Sequence, residues 1–401
     1  MHEVSKAMES TMMLHWSPFW MIAALTGHFG LRLTLYNRLN SLGWPRAWIK
    51  RIEVALLAET FVTPAVILWN HGPRIWHATT TSATTVMMPP LVTAYGLTCL
   101  GMGAVFGILW LVWRPFIGLQ QVAVQRQTTL LDVAELAERS LPLTRKCRVA
   151  QRIPGNQIFD LSVEQIELPV VGLPKDLTGY RIAHLSDIHL TGQVDPAYAA
   201  TVVKQTMRWR PDLIALTGDI VDKSIGLSWV DGIFSKAKAM DGCYFILGNH
   251  DTRVSDPDDV RSAMVSAGWR DLGGRCVDAH PRNSTVMLVG NESPWFARPD
   301  DDAMTGGHHD FRVCLSHSPD QFDWCRHHGI ELMLAGHTHG GQGRLPLAGP
   351  ILSPSRHGSR WASGDFRRAP TTLHVSRGLG GVHLLRWRCP PELSLLTLRP
   401  G

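Results

Sequence analysis

Seven short apolar runs between residues 180 and 375 constrain the fold of this chain more than any other feature. The runs are rich in β-branched or large apolar side chains, and each leads into Gly, Asp, Ser or His. They read YRIAHL, DLIALT, CYFIL, TVMLV, FRVCL, IELML and TTLHV. Such runs are typical of buried strands that end in polar loops. Helical patterns intervene, for instance over residues 196–209 and 258–267, so we predict an α/β sheet with ligands at the carboxyl ends of its strands.

Two further strand patterns flank these runs. FDLSVEQIELPV precedes them and PELSLLTL follows them. Both read as antiparallel strands, which makes an all-parallel sheet a poor description of the region.

The residues that follow the strands form a series of oxygen and imidazole donors. In chain order they are Asp187 and His189, Asp219 and Asp222, Asn249, His250 and Asp251, His317 and Asp320, and His337 and His339. A mixture of carboxylate, imidazole and amide ligands suits Mn²⁺, Fe²⁺ or Zn²⁺ better than Ca²⁺ or a structural zinc ion. The series therefore predicts a metal site.

The spacing within the motifs supports this prediction. In an extended segment, the two donors of a D-x-H or H-x-H pair point the same way and can reach a common point. Glycines at 218, 248, 336, 340 and 341 allow sharp turns and close approach of the backbone. Each motif alone is also compatible with a cap or a turn. Five of them in this order are poorly explained as unrelated turns.

The chain before residue 116 carries long apolar stretches. Residues 10–31 have no formal charge and are long enough to span a bilayer, and PLVTAYGLTCLGMGAVFGILWLVW over residues 90–113 is the strongest transmembrane pattern. Between them, residues 52–70 give a weaker pattern, because Glu53, Glu59 and Pro64 raise the cost of insertion. An interfacial or core helix is the alternative for this segment. We expect about three transmembrane helices within residues 1–115.

The distribution of Lys and Arg predicts an orientation. Basic residues are frequent between the first two stretches and after the third, whereas only Arg74 lies between the second and third. By the positive-inside rule, the amino terminus would face outward and the chain beyond Arg114 would lie in the cytoplasm. The membrane would be the inner or plasma membrane. Residues 116–155 then read as an amphipathic basic connector along the lipid surface, or as a solvated linker helix. Residues 156–401 form the predicted soluble domain.

Composition excludes several other classes of protein. The seven cysteines include no C-x-x-C pair, which argues against a disulfide framework and a thiolate zinc site and fits a reducing compartment. The net charge of +5 could indicate nucleic-acid binding. However, the basic residues lie around apolar runs and not along an aromatic-interleaved stripe, so no nucleic-acid partner is expected.

The five motifs resemble the signature of the calcineurin-like metallophosphoesterase superfamily, in particular its membrane-associated bacterial branch, which includes UDP-2,3-diacylglucosamine pyrophosphatases. The resemblance implies a two-sheet α/β sandwich flanked by helices. It assigns Asp187, His189 and His339 to one metal and Asn249, His317 and His337 to the other, with Asp219 bridging them and His250 near the substrate phosphate as a general acid or charge stabiliser. Asp222, Asp251 and Gln342 are interpreted as residues that orient the ligands, or as turn residues.

The chemistry expected of such a site is metal-dependent hydrolysis. Two divalent ions, of which manganese is the leading candidate over iron and zinc, would neutralise phosphate charge and supply a bridging hydroxide for in-line attack. A membrane anchor favours a lipid-linked phosphodiester or pyrophosphate, with UDP-2,3-diacylglucosamine as the named candidate. The alternatives are a tethered phosphodiesterase or phosphatase acting on soluble nucleotides or phosphoproteins, and a non-enzymatic metal-binding scaffold.

Two loops are candidates for substrate contact. Residues 295–311 could cap the site. Residues 343–361 carry Arg344, Arg356 and Arg360, which could bind a diphosphate or remain solvated.

Overall fold

The computed structural model describes residues 15–80, 86–112, 121–122, 124–346 and 349–401. The chain divides into two compact units. One comprises residues 1–40 and 44–119, and the other comprises residues 41–43 and 120–401.

Three long helices build the first unit: α1 (Pro18–Leu39), α2 (Arg46–Thr80) and α3 (Pro90–Val112). Short strands at His15–Trp16 and Val86–Met87 pair antiparallel. α1 begins where the hydroxyl of Ser17 accepts a hydrogen bond from the backbone of Trp20. α1 and α3 approach closely at Gly27 and Gly103, where an added Cβ on either glycine would collide with the facing backbone. Small residues permit this kind of approach between membrane helices.

The segments Arg46–His77 and Pro90–Ile108 are long and apolar enough to cross a membrane, judged by length and composition. They correspond to the second and third predicted stretches. The first stretch forms α1 from residue 18 onward, and residues 10–14 and 113 lie outside the described residues. That α1 spans the membrane stays a prediction. Glu59, which weakened the prediction for α2, forms an ion pair with Arg32 of α1, so its charge has a partner.

The second unit contains two sheets. The first has seven strands in the order β1-β2-β13-β3-β4-β5-β6. Their bounds are β1 Gln125–Asp132, β2 Asp160–Val170, β3 Arg181–Leu185, β4 Leu213–Thr217, β5 Cys243–Ile246, β6 Arg270–Asp271 and β13 Glu392–Pro400. Strands β3 to β6 run parallel, β13 is antiparallel to β3 and parallel to β2, and β1 is antiparallel to β2.

The second sheet has six strands in the order β11-β12-β10-β9-β8-β7. Their bounds are β7 Cys276–Ala279, β8 Val286–Asn291, β9 Phe311–Ser316, β10 Leu332–Ala335, β11 Gly364–Arg368 and β12 Thr371–Val375. The four strands β8, β9, β10 and β12 are parallel, and β7 and β11 close the edges antiparallel. The two-residue strands Arg344–Leu345 and Gly349–Pro350 pair antiparallel.

Helices cover the outer faces of the sheets. They are α4 Val133–Leu136, α5 Arg145–Gln151, α6 Ala197–Arg208, α7 Val230–Phe234, α8 Pro257–Ser266, α9 Asp301–Thr305 and α10 Phe322–His327. A buried apolar layer fills the space between the sheets, with Ile182 and Ala215 from the first and Leu315 and Leu334 from the second. Separate clusters lie beneath α6 to α8 and beneath α10. The predicted two-sheet α/β sandwich is confirmed.

All seven predicted strands are present, and the two flanking patterns form β2 and β13, which run opposite to the core strands. Within residues 116–155, for which we predicted a connector, the observed structure differs from that prediction. Residues 125–132 are strand β1 of the first sheet, not part of an amphipathic or linker helix, because they pair along their whole length with β2. From residue 120 onward the chain belongs to the second unit.

Candidate metal centre

Pairing between β3 and β4 continues beyond the two strands and positions the first two predicted motifs. The backbone N–H groups of Asp187 and His189 donate to the carbonyls of Gly218 and Asp219, at 3.0 and 2.9 Å. The backbone N–H of His337, which follows β10, donates to the Asp187 carboxylate at 3.0 Å. Loops from both sheets are therefore tied together at one edge of the sandwich.

Four predicted ligands form a first cluster: Asp187, His189, Asp219 and His339. One donor atom from each lies within 4.8 Å of all the others. The Nε2 atom of His189 lies 3.2 Å from Nε2 of His339 and 3.5 Å from Oδ2 of Asp219. Nε2 of His339 lies 3.6 Å from Oδ1 of Asp187.

A second cluster shares Asp219 with the first and adds Asn249, His317 and His337. Nε2 of His317 lies 3.3 Å from Oδ1 of Asp219, 3.0 Å from Oδ1 of Asn249 and 3.1 Å from Nδ1 of His337. The two oxygens of Asp219 thus face different clusters. This is the placement expected for a carboxylate that bridges two ions, and it separates His337 from His339 as the resemblance implied.

The donor chemistry fits a pair of divalent cations. Oδ2 of Asp219 is buried and has no hydrogen-bond partner among the described residues. Imidazole nitrogens face each other in both clusters, at 3.2 and 3.1 Å. Buried polar atoms without partners require an explanation such as a bound ion. Nitrogen and oxygen donors with no thiolate match borderline divalent metals.

The backbone at the site is strained. Asp187, His189, Asp219, His337 and His339 all have φ between +51° and +69°. This left-handed conformation costs a non-glycine residue about 1–3 kcal/mol and is concentrated at functional sites in proteins. The residues of each predicted pair lie close together, but the expected extended segment is not found: the paired side chains converge through left-handed turns.

Glycines allow the loops to meet. A Cβ on Gly248 would collide with the carboxylate of Asp219, and a Cβ on Gly336 would collide with Ser186 and Asp187. Glycine is therefore required at both positions for the ligand loops to pack.

Asp222 lies behind the first cluster and contacts two histidines. Its Oδ2 accepts from Nδ1 of His189 at 2.8 Å, and its Oδ1 accepts from Nδ1 of His250 at 2.5 Å and from Arg253 at 3.1 Å. Carboxylates in this position fix the tautomer and orientation of a ligating histidine. The prediction that Asp222 orients ligands agrees with these contacts.

Asp251 orients backbone and not ligand side chains. Its carboxylate accepts from the N–H groups of Ile220, Val221 and Gly248 at 2.8–3.0 Å, and so joins the loops after β4 and β5. Gln342 has φ +52°, and its backbone carbonyl accepts a hydrogen bond from the backbone N–H of Trp387. Within the described residues, no hydrogen bond joins its side chain to a predicted ligand.

Burial and neighbouring charges shift the pKa values of the site in opposite directions. Burial lowers the pKa of His250 to about 4 and holds the pKa values of His337 and His339 well below the usual range. Although burial opposes it, the carboxylate of Asp222 raises the pKa of His189 to about 9. Protons must therefore leave His189 when a cation binds in the first cluster.

Three residues that the motifs did not indicate also belong to the site. The indole of Trp295 packs on His337 and His317, with ring centroids 4.7 and 5.5 Å apart. Nη2 of Arg253 lies 2.9 Å from Nε2 of His250. The third is Arg386, whose guanidinium lies buried behind His339. Trp295 opens the 295–311 loop and could have been found there, whereas the two arginines carry no local signal.

Arg386 holds the loop that supports Asp187. Its guanidinium donates to the carbonyls of Arg377, Gly378 and Gly380 at 2.5–3.3 Å. The N–H groups of Leu379 and Gly380 in turn donate to the carbonyls of Ser186 and Asp187, at 2.9 and 2.7 Å. The buried arginine thus fixes one wall of the first cluster.

The other predicted contact residues are engaged elsewhere. Asp320 accepts from Ser355 and from the N–H of Arg356, and so anchors the 353–356 loop. Arg344 donates to Ser363, and Arg360 lies over the ring of Trp361. In the 295–311 loop, Trp295 contacts the second cluster, whereas Asp301 bonds to His328.

Comparison with known proteins places these observations in a family context. A family profile described as Calcineurin-like phosphoesterase matches residues 180–341, a range that contains both clusters. The metallophosphoesterase YkuE of Bacillus subtilis is 30% identical over 234 residues, covering 57% of this chain and 82% of YkuE. The UDP-2,3-diacylglucosamine pyrophosphatase LpxG of Chlamydia muridarum is 23% identical over 282 residues, covering 56% and 86% of the two chains. A Bos taurus transmembrane protein with metallophosphoesterase domain is 26% identical over 396 residues, covering 87% and 85%.

Proposed function

Because this chain belongs to the calcineurin-like metallophosphoesterase family and is a metal-dependent hydrolase of phosphoric esters, we propose that it is anchored in a membrane and acts on a lipid-linked substrate. The bond that it cleaves is a phosphodiester or pyrophosphate bond, in a molecule such as UDP-2,3-diacylglucosamine. The central observation is the pair of donor clusters that share Asp219.

The two clusters would hold two divalent ions. Asp187, His189 and His339 would bind one, Asn249, His317 and His337 would bind the other, and Asp219 would bridge them. When bound, such ions neutralise phosphate charge and activate water for attack on phosphorus. We propose manganese as the ion used. Metal content and turnover after separate reconstitution with Mn²⁺, Fe²⁺ and Zn²⁺ would identify it.

His250 would act on the phosphate by positioning the charge of Arg253. Its Nδ1–H donates a hydrogen bond to the Asp222 carboxylate at 2.5 Å, and its Nε2 accepts one from Arg253 at 2.9 Å. With burial lowering its pKa to about 4, His250 is neutral at pH 7. These contacts favour the charge-stabilising role over the general-acid role, with Arg253 supplying the positive charge.

Two observations favour a lipid-linked substrate. Arg46–His77 and Pro90–Ile108 have the length and composition of membrane spans. The LpxG relative is named for cleavage of a diacylated sugar nucleotide. An anchored enzyme meets such a substrate at a high local concentration. We place the hydrolase unit in the cytoplasm, on the basis of the excess of Lys and Arg beyond the third apolar stretch.

The test uses full-length protein in nanodiscs, loaded with Mn²⁺. UDP-2,3-diacylglucosamine is offered beside a water-soluble aryl phosphodiester and an aryl phosphomonoester, for the native chain and Asp219→Ala. We expect preference for the lipid substrate, and loss of all turnover in the variant. Turnover of the soluble esters alone would favour the tethered phosphodiesterase or phosphatase. Absence of turnover by metal-loaded protein on every substrate would favour the metal-binding scaffold.

A further inference from the structure

A chain of buried polar side chains leads from the interior of the first sheet to the metal centre. Its members are His184 in β3, Thr217 at the end of β4, and Ser186, which precedes Asp187. All three side chains are fully buried. Nε2 of His184 lies 2.8 Å from Oγ1 of Thr217, which lies 2.8 Å from Oγ of Ser186. Oγ of Ser186 in turn lies 2.5 Å from Oδ2 of Asp187.

The direction of each hydrogen bond in this chain follows from its carboxylate end. An ionised carboxylate, the form that binds a cation, only accepts, so the hydroxyl of Ser186 donates to Asp187. A hydroxyl has a single proton, so the oxygen of Ser186 accepts from Thr217. By the same argument the oxygen of Thr217 accepts from His184. His184 must therefore carry a proton on Nε2.

His184 is held in its neutral form. Burial keeps its pKa well below the usual range, and the imidazole of His374, with ring centroids 5.3 Å apart, acts in the same direction. A neutral imidazole has one N–H group. Nδ1 of His184 is buried and has no hydrogen-bond partner among the described residues. The one N–H group of this side chain is thus directed, through two hydroxyls, at Asp187.

The chain makes the two oxygens of Asp187 different from each other. Both lie near the backbone N–H of His337, at 3.1 and 3.0 Å, but only Oδ2 accepts from Ser186. Oδ1 lies 3.6 Å from Nε2 of His339 in the first cluster. The hydrogen bond from Ser186 therefore holds one oxygen and leaves the other directed toward the first cluster.

We propose that His184 is a positioning residue for the first metal ion. By donating from Nε2 it orders the hydroxyls of Thr217 and Ser186, and this chain holds the carboxylate of Asp187 in the orientation that binds the ion. The inference rests on the proposed function for the assignment of Asp187 to a metal, and it does not depend on the identity of the substrate.

The test measures the affinity of each Mn²⁺ ion by equilibrium dialysis of full-length protein in nanodiscs. Ser186→Ala, Thr217→Val and His184→Leu each remove one donor from the chain. Because outer hydrogen-bond partners of metal ligands contribute about 10–100-fold to affinity, we expect each variant to weaken the first ion by about tenfold and to leave the second unchanged. His184→Gln, whose side-chain amide can donate to Thr217, should restore an affinity close to the native one.

The double variant His184→Leu/Ser186→Ala separates action through the chain from a general loss of structure. Changes within one hydrogen-bond network are not additive. The double variant should therefore weaken the first ion no more than Ser186→Ala alone. His374→Leu is the matched control, since His374 is an equally buried histidine that donates to Asp365 and lies outside the chain. It should keep both native affinities.

Three results would overturn the inference: native affinity for the first ion in His184→Leu, additive losses in the double variant, or an equal loss in His374→Leu. The proposed function can fail separately. If the affinities change as expected but the native protein cleaves no phosphodiester or pyrophosphate, the proposed function fails and the positioning role of His184 stands.

Discussion

Replacing Asp222 by asparagine tests how the metal centre is held together, because this change preserves shape and removes one acceptor. In the native site both oxygens of Asp222 accept hydrogen bonds, Oδ2 from His189 and Oδ1 from His250 and Arg253. The asparagine oxygen can replace only one of them. It should take the Oδ1 position, which serves two donors, and its NH₂ group would then face Nδ1 of His189.

That arrangement forces a choice on His189. With two donors opposed, the imidazole must accept at Nδ1 and carry its proton on Nε2, the atom that faces Asp219 and His339. A protonated Nε2 cannot bind a metal. Loss of such an orienting carboxylate typically costs 10–100-fold in metal affinity. Because His189 is buried and the tautomer itself changes, we expect about 100-fold, or about 2.7 kcal/mol, for the first cluster only.

The assay is Mn²⁺ stoichiometry by elemental analysis after equilibrium dialysis over a range of free metal. At a concentration where the native protein holds two ions, Asp222→Asn should hold one, retained by the second cluster. Asp241→Asn is the matched control, since Asp241 accepts from the hydroxyl of Tyr180 at 2.7 Å and belongs to neither cluster. Retention of two ions by Asp222→Asn, or equal weakening of both, would refute this account of the site.

Four further outcomes are expected. Asp219→Ala should lose both ions together, measured as metal content, because one carboxylate faces both clusters. His250→Ala should keep about two ions while kcat falls by about 10²-fold or more, and loss of metal would show that its assignment is wrong. Arg386→Gln removes charge-assisted hydrogen bonds from the loop carbonyls, and should destabilise the protein by about 1–3 kcal/mol and lower its thermal midpoint. A topology reporter fused after Arg152 should give a cytoplasmic signal, and an external signal would overturn the predicted orientation.

The parts of the fold that were predicted correctly are those encoded by local pattern. Strands such as Leu213–Thr217 are buried along their whole length and therefore appear in the sequence as continuous apolar runs. Strand β1 was missed because nearly all its residues are exposed, so no alternation marks it. Its identity depends on pairing with β2, a long-range contact that leaves little trace in the sequence of QRQTTLLD.

The same distinction applies to the site. The residues of the two donor clusters could be predicted because each comes shortly after a strand and has a side chain that can bind metal. Arg386 could not, because a lone arginine in a loop reads as solvated, and only the folded chain places its guanidinium against the carbonyls of Gly378 and Gly380. Trp295 likewise acquires a role only when its loop packs over His337.

The left-handed backbone of the predicted ligands requires hydrogen bonds from the surrounding loops. A left-handed residue persists only where neighbouring contacts over-determine it. Here the N–H groups of Asp187, His189 and His337 are each fixed by a partner in another loop. Asp251 and Arg386 hold those partner loops from behind, through N–H groups and carbonyls respectively. These hydrogen bonds therefore hold the donors in place, so changes in the supporting residues should weaken metal binding although every ligand side chain is kept.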